Sequence, residues 1–296
     1  MAEMKDYLSV EKAGELCRTI GLPEEAAEKA LRYMDNGGCE AAAPFFEGLL
    51  SRHTAAASAS EVAKILKGED GEYVDSGFGL MATFLAAALR TRELYGDAGI
   101  DLSVYYETMS FFREVLNENL ILYGRYTFDR ADWYHRQISQ AIYKLGALEF
   151  ELMDMDADFA KACGLPEGEP VLSVHIQTGS DLIANAVSES YRKALDFFPK
   201  YYPDFKYRLF LCCSWLLSPA LKALLPENSK IASFASEYEV VQFDEESEGF
   251  YTYLYNIKKK PDDLGALPED TSLRRSVKKF LSGGGKIGWA TGLKRI

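Results

Sequence analysis

A change of residue pattern after Tyr123-Gly124 divides the chain into two halves that cannot share one architecture. Before this point apolar residues recur at helical spacing, as in Ala27, Leu31 and Met34, and valine and isoleucine are scarce. After it, short runs of strand-forming residues alternate with amphipathic segments. A helix buries one stripe every 3.6 residues, whereas a strand buries every second residue. The sequence therefore predicts two domains, 1–124 and 125–296.

The first half is predicted to be an all-helical bundle, because its segments are rich in alanine and carry apolar stripes. Two long helices are expected over 77–95 and 102–122, and Gly37-Gly38 should end an earlier helix. The Glu-x-x-His spacing of metal-binding bundles does not occur in this half. We therefore expect it to act as a scaffold or as a lid over a substrate.

The second half is predicted to be a mixed β-sheet domain flanked by helices, because strands alternate with helices along the chain. The expected strands cover 147–153, 171–176, 207–213, 238–243 and 250–257. The expected helices cover 133–145, 181–198 and 219–225. Ser282-Gly-Gly-Gly-Lys286 lacks the first glycine and the Ser/Thr of a phosphate loop, so it predicts a simple turn.

Composition narrows the possible partners and compartment. The formal net charge of −12 disfavours nucleic acid, since phosphate neutralisation needs a basic surface. The longest apolar run, 78–89, is too short to cross a bilayer, and the first residues lack a signal-peptide pattern. Five cysteines without Cys-x-x-Cys spacing indicate reduced thiols, and the three histidines are too scattered for a metal site. We expect a cytoplasmic protein without a membrane, nucleic-acid or metal partner.

The end of the chain carries the opposite charge to the rest. Residues 271–296 contain seven lysines and arginines and no acid. Two interpretations stay open: the basic tail docks on the acidic body, or it contacts an anionic ligand.

The segment Val171-Leu-Ser-Val-His-Ile-Gln-Thr-Gly-Ser-Asp181 predicts a strand, a glycine turn and the start of a helix. Ser173, His175 and Gln177 should form a polar row on one face of the strand. A helix start after such a turn can hold a phosphate on its backbone N–H groups. However, Ser180 or Asp181 is expected to cap this helix, and a capping carboxylate would occupy those N–H groups and repel a phosphate.

The order of strands and helices in the second half, ending in two strands, is accompanied by several local motifs. They are Leu-Gly-Ala-Leu-Glu-Phe-Glu at 145–151, Val-His-Ile at 174–176, Phe-Phe-Pro at 197–199, Cys-Ser-Trp-Leu-Leu at 213–217 with Pro219, Leu-Pro at 225–226 and Asn-Ser-Lys-Ile at 228–231. With these residues the chain resembles the GNAT superfamily of acyl-CoA-dependent N-acyltransferases. The resemblance is closest to a bacterial group with an N-terminal helical domain and a GNAT-like C-terminal domain, and it covers essentially the whole chain.

This resemblance implies a reaction and a place for the donor. The donor would be acetyl-CoA or another acyl-CoA, and the acceptor a small-molecule amine. The strand 171–176 would splay from the strand 207–213, and the thioester arm would lie between them. The residues expected to contact the donor are Val174, Ile176, Gln177, Thr178, Gly179 and Ser180.

The pyrophosphate loop departs from the pattern of this superfamily, which is Gln/Arg-x-x-Gly-x-Gly/Ala. Counted from Gln177, the two glycine positions hold Ser180 and Leu182, and only Gly179 is present, out of register. This departure favours an alternative in which the fold is kept as a non-catalytic module that binds a ligand or a protein.

Amine acylation needs a base for the ammonium proton. Glu149 and Glu151 share one strand face, and together with His175 they are the candidate catalytic residues. The alternatives are that the acidic face is solvated and that the histidine is structural. Cys213 is a weaker candidate for a nucleophile, because no histidine lies near it in the sequence.

Overall fold

The computed structural model describes residues 3–68, 71 and 73–296. Its packing divides the chain into two compact units, Met1–Lys144 and Leu145–Ile296. Among the described residues, none of the helices is both long and apolar enough to cross a membrane.

The first unit is helical, as predicted. Its α-helices are α1 (Val10–Thr19), α2 (Glu24–Asp35), α3 (Phe46–Leu49), α4 (Ala55–Leu66), α5 (Phe78–Asp97), α6 (Leu102–Met109), α7 (Phe111–Tyr123) and α8 (Ala131–Ile138). Helix α5 is buried along most of its length. The single helix expected over 102–122 is interrupted at Ser110, whose hydroxyl donates to the carbonyl of Glu107 at 2.7 Å. Such a side-chain bond to a nearby carbonyl competes with a continuous helix.

Residues 125–144, which we expected in the second domain, pack with the helices of the first unit. The buried ring of Phe128 lies 5.9 Å from Phe84, 5.4 Å from Phe112 and 4.5 Å from Tyr134, measured between ring centroids. The expected helix over 133–145 is α8 followed by a strand, β1 (Ile142–Leu145), and Gln140 between them has a positive φ of 59°. A left-handed residue cannot continue a helix, so the chain turns there.

The second unit alternates strands and helices. Its elements are β2 (Leu148–Asp154), α9 (Ala157–Ala162), β3 (Pro170–His175), α10 (Ala184–Tyr201), β4 (Leu209–Ser214), α11 (Pro219–Leu224), α12 (Lys230–Ala235), β5 (Glu239–Asp244), α13 (Phe250–Tyr255), α14 (Ser272–Ser282) and β6 (Trp289–Arg295). The strand expected over 250–257 is wrong, because this segment forms α13. Its buried residues are Phe250, Tyr251, Leu254 and Tyr255, which is helical spacing.

The basic tail forms two regular elements, α14 and β6, and its cations bind the body of the second unit. Arg274 pairs with Asp270 at 3.0 Å and donates to the carbonyl of Leu254 at 2.6 Å. Lys278 pairs with Glu269 at 2.8 Å. The contact with Leu254 supports the docking interpretation for α14, whereas Asp270 and Glu269 directly precede the tail.

The six strands form one mixed sheet in the order β1-β2-β3-β4-β6-β5. Strands β3 and β4 are parallel and are joined through α10, and the pairs β2–β3, β4–β6 and β5–β6 are antiparallel. One face of the sheet is covered by aromatic packing: the ring centroid of Phe150 lies 5.9 Å from Tyr191 of α10 and 5.8 Å from Phe210 of β4. The predicted fold, a helical bundle followed by a mixed sheet with flanking helices, is confirmed.

Candidate active site

A polar row crosses β2 and β3 on the sheet face opposite to Phe150. The register pairs Glu149 with His175 and Glu151 with Ser173. Residues that face each other in an antiparallel pair project to the same side of the sheet. The two glutamates and the histidine expected from the sequence therefore lie together.

The side chains of this row are linked by two short hydrogen bonds. His175 Nε2 lies 2.8 Å from Glu151 Oε2, and Gln177 Nε2 donates to Glu149 Oε1 at 2.7 Å. Glu149 is 3% exposed, so its carboxyl group is buried and needs such a donor. The alternative that this acidic face is solvated is therefore wrong. The row is a largely buried hydrogen-bonded cluster.

Strands β3 and β4 separate beside this cluster. In the described sheet their register contains only two pairs, Leu172 with Phe210 and Ser173 with Leu211. Both strands continue beyond these pairs, β3 to His175 and β4 to Ser214. The sheet therefore opens toward the carboxyl ends of two adjacent parallel strands, and His175 lies at this opening.

The loop from β3 to α10 does not provide the helix cap that we expected. Helix α10 begins after Ile183, and among the described residues no side chain caps it. Asp181 accepts a hydrogen bond from the Ile183 N–H at 3.1 Å and pairs with Lys230 at 3.0 Å. The expected cap by Ser180 or Asp181 is thus wrong: the Asp181 side chain binds the N–H of Ile183, which lies before the helix, and Lys230 balances its charge.

The residues expected to contact a donor follow one another from the opening to α10. Val174 lies in β3 and is buried, and Ile176 and Gln177 directly follow the strand. Thr178, Gly179 and Ser180 form the turn, in which the Ser180 N–H donates to the carbonyl of Gln177 at 3.0 Å and Gly179 has φ +83°.

On the same sheet face, Cys213, the weaker nucleophile candidate, contacts two residues that the sequence did not indicate. Cys213 and Thr291 are paired across β4 and β6, and Cys213 Sγ lies 3.5 Å from Thr291 Oγ1. The indole N–H of Trp289 donates to Cys213 Sγ at 3.2 Å. This contact joins residues far apart in the chain through β6, a strand that the sequence did not predict. Among the described residues, no group of three His, Cys, Asp or Glu side chains is placed to hold a metal ion.

Iodoacetamide is expected to modify one cysteine in the native chain, Cys213, and all five after denaturation. The five cysteines all lie in described residues, and the other four are buried. Burial raises the pKa of Cys39 to about 11 and that of Cys17 to about 12, and it also raises the pKa values of Cys163 and Cys212. Because the thiolate is the reactive form, these thiols should stay unmodified at pH 8. Intact mass measures the number of adducts, and native modification that persists in Cys213→Ser would contradict this assignment.

Comparison with models of protein families and with solved structures identifies relatives of this chain. The model of the GNAT-like C-terminal domain matches residues 142–294, and the model of the N-acyltransferase N-terminal domain matches residues 11–140. No curated protein sequence matches the chain.

Two solved structures share the fold over nearly the whole chain. One is an acyltransferase in complex with decanoyl-CoA and teicoplanin, with 22% identity over 96% of this chain and 88% of that chain and a TM-score of 0.77. The other is an acyltransferase mutant in complex with octanoyl-CoA, with 22% identity, 97% and 88% coverage and a TM-score of 0.77.

Proposed function

We propose that this chain, which belongs to the family that joins an N-acyltransferase N-terminal domain to a GNAT-like C-terminal domain, transfers an acyl group from an acyl-CoA to an amine. The observation that carries the proposal is the opening between β3 and β4 with the His175–Glu151 pair beside it. The similar acyltransferases that were crystallised with decanoyl-CoA, octanoyl-CoA and CoA support the choice of donor.

The donor would bind with its thioester arm in the opening and its pyrophosphate at the start of α10. A helix N-terminus attracts phosphate through its backbone N–H groups and its dipole. The structure favours this role more than the sequence does, because Asp181 binds outside the helix and is paired with Lys230. Gly179, with its positive φ, lets the loop turn toward α10 without the superfamily's two glycines.

His175 would take the proton that the ammonium group of the acceptor must lose before its nitrogen can attack the acyl carbon. With Glu151 ionised, the proton on the imidazole lies at Nε2, where the carboxylate accepts it. Nδ1 then carries the lone pair and acts as the base. The carboxylate also stabilises the imidazolium that forms, which is the usual role of an acid paired with a histidine base.

Glu149 would support the base without taking the proton itself. Its carboxylate is held by Gln177, and it faces His175 across the β2–β3 pair. An ionised Glu149 would place a second negative charge beside the imidazolium that forms in the reaction and would stabilise that charge. We therefore assign base catalysis to His175, with Glu151 and Glu149 as the groups that support it.

The non-catalytic module stays as the second candidate, because the superfamily's glycine pattern is absent. Calorimetry with acetyl-CoA, octanoyl-CoA and decanoyl-CoA, followed by detection of released CoA in the presence of primary amines, separates the two. Binding with CoA release supports the enzyme, and binding without release supports the module. The absence of binding at millimolar donor would refute the proposed acyltransferase.

The proposed pyrophosphate position predicts a charge effect at the start of α10. Ala184→Asp is expected to weaken octanoyl-CoA binding about tenfold, because the new carboxylate competes for the N–H groups and repels the phosphates. Ser188→Asp adds the same charge to the same helix about one turn later, and it should change the affinity much less. Equal losses in the two variants, measured by calorimetry, would place the pyrophosphate elsewhere.

A further inference from the structure

Cys213 occupies a position in the opening that the proposed base reaction does not use. Ser173 of β3 is paired with Leu211 of β4, and two residues further along these strands come His175 and Cys213. Side chains two residues apart in a strand project to the same face. The thiol and the imidazole therefore lie on the two sides of the opening, on the same face of the sheet.

The sulfur is exposed and yet held in place. Trp289 and Thr291 fix Cys213 Sγ from the neighbouring strand β6, and the ring of Trp289 is packed 6.0 Å from that of Tyr253. Because the sulfur accepts from the indole N–H, its own proton is directed away from the indole. Together with His175 and Glu151, the site then contains a nucleophile, a base and a carboxylate that orients the base.

We propose that Cys213 takes the acyl group from acyl-CoA and carries it as a thioester before the amine attacks. This inference rests on the proposed function of the same site. In the first step, Cys213 Sγ forms a bond to the acyl carbon and the bond from that carbon to the CoA sulfur breaks. The thiol proton passes to His175 and then to the departing CoA thiolate, so that free CoA leaves with its thiol restored.

In the second step the amine nitrogen forms a bond to the acyl carbon, and the bond from that carbon to Cys213 Sγ breaks. The amine loses a proton to His175, which returns it to the Cys213 sulfur. One thioester is exchanged for another in the first step, so the intermediate keeps the reactivity of the donor. CoA can leave before the acceptor binds, which gives ping-pong kinetics.

The test uses the full chain and octanoyl-CoA without any amine. We expect one octanoyl adduct per chain by intact mass, removed by hydroxylamine, and a burst of one released CoA per chain measured by chromatography. Cys213→Ala should bind octanoyl-CoA in calorimetry and give neither adduct nor burst. Cys163→Ala, which removes a buried thiol of the same unit, should behave as the native chain does.

Trp289→Phe tests the placement of the sulfur, because it keeps a ring and removes the N–H. We expect the adduct to form about tenfold more slowly, while the affinity for octanoyl-CoA stays unchanged. A loss of this size corresponds to one hydrogen bond that stabilises the reacting state. Binding of octanoyl-CoA without adduct or burst would overturn the covalent step and leave the proposed function standing. Failure of acetyl-CoA, octanoyl-CoA and decanoyl-CoA alike to bind would overturn both.

Discussion

Replacing His175 with alanine is expected to lower turnover by about 10²- to 10⁴-fold while leaving the affinity for acyl-CoA near the native value. The imidazole is a proton acceptor at the opening, and Glu151 Oε2 lies 2.8 Å from one of its two nitrogens. Its removal deletes the base without changing the strand backbone or the start of α10. Steady-state kinetics, with octanoyl-CoA and a primary amine that supports native turnover, gives kcat and KM, and calorimetry gives the donor affinity.

Two further variants test whether the loss of turnover is specific to His175. Glu151→Gln keeps a hydrogen-bonding group beside His175 but removes the charge, so we expect a smaller loss, about tenfold. His53→Ala removes an exposed histidine of the first unit and should leave kcat unchanged. Native kcat in His175→Ala would exclude this residue as the base, and equal losses in both histidine variants would indicate an indirect effect.

The strand alternation predicted the polar row because it depends only on local geometry. The period of two along 147–153 and 171–176 places Glu149, Glu151 and His175 on one face wherever these strands pair. The β2–β3 register then brings the three residues together. Their catalytic roles stay predictions until the variants are measured.

The contacts made by β6 could not be predicted, because they are set by pairing at long range. The segment Trp-Ala-Thr-Gly-Leu-Lys-Arg has no regular alternation, and it becomes a strand between β4 and β5. A side chain at Gly292 would place its Cβ 2.9 Å from Leu217 and from Tyr238, so the close packing here requires glycine. Nothing in the sequence around Cys213 or Trp289 indicates that the two residues meet.

Two other errors have a common cause: local preference was overridden by packing. The aromatic run at 250–257 favours a strand by composition, yet burial at helical spacing makes it α13. Asp181 is a favourable capping residue, yet its pairing with Lys230 and its bond to the Ile183 N–H leave α10 to begin later. The second difference bears on the proposed function, because the Asp181 carboxylate binds the N–H of Ile183 and not an N–H group in the first turn of α10.

In the first unit, Gly77→Ala is expected to lower the free energy of unfolding by about 2–5 kcal/mol. Gly77 has φ +82°, and a Cβ built there would lie 1.9 Å from the carbonyl oxygen of Phe128. The Phe128 backbone cannot easily withdraw, because its N–H donates to the Ser76 carbonyl at 2.9 Å and its buried ring packs among Phe84, Phe112 and Tyr134. The variant therefore combines a left-handed alanine with a collision against an immobile main chain.

Gly99→Ala is the matched control, because Gly99 has φ +68° and a Cβ there would meet no described atom within 4 Å. It should lower the free energy of unfolding by about 1–2 kcal/mol, which is the cost of holding alanine in a left-handed conformation. Urea unfolding followed by circular dichroism measures both values, and the difference between them isolates the collision with Phe128. If the two variants lose the same stability, the main chain of Phe128 makes room for the added methyl group, and the expected collision at Gly77 does not occur.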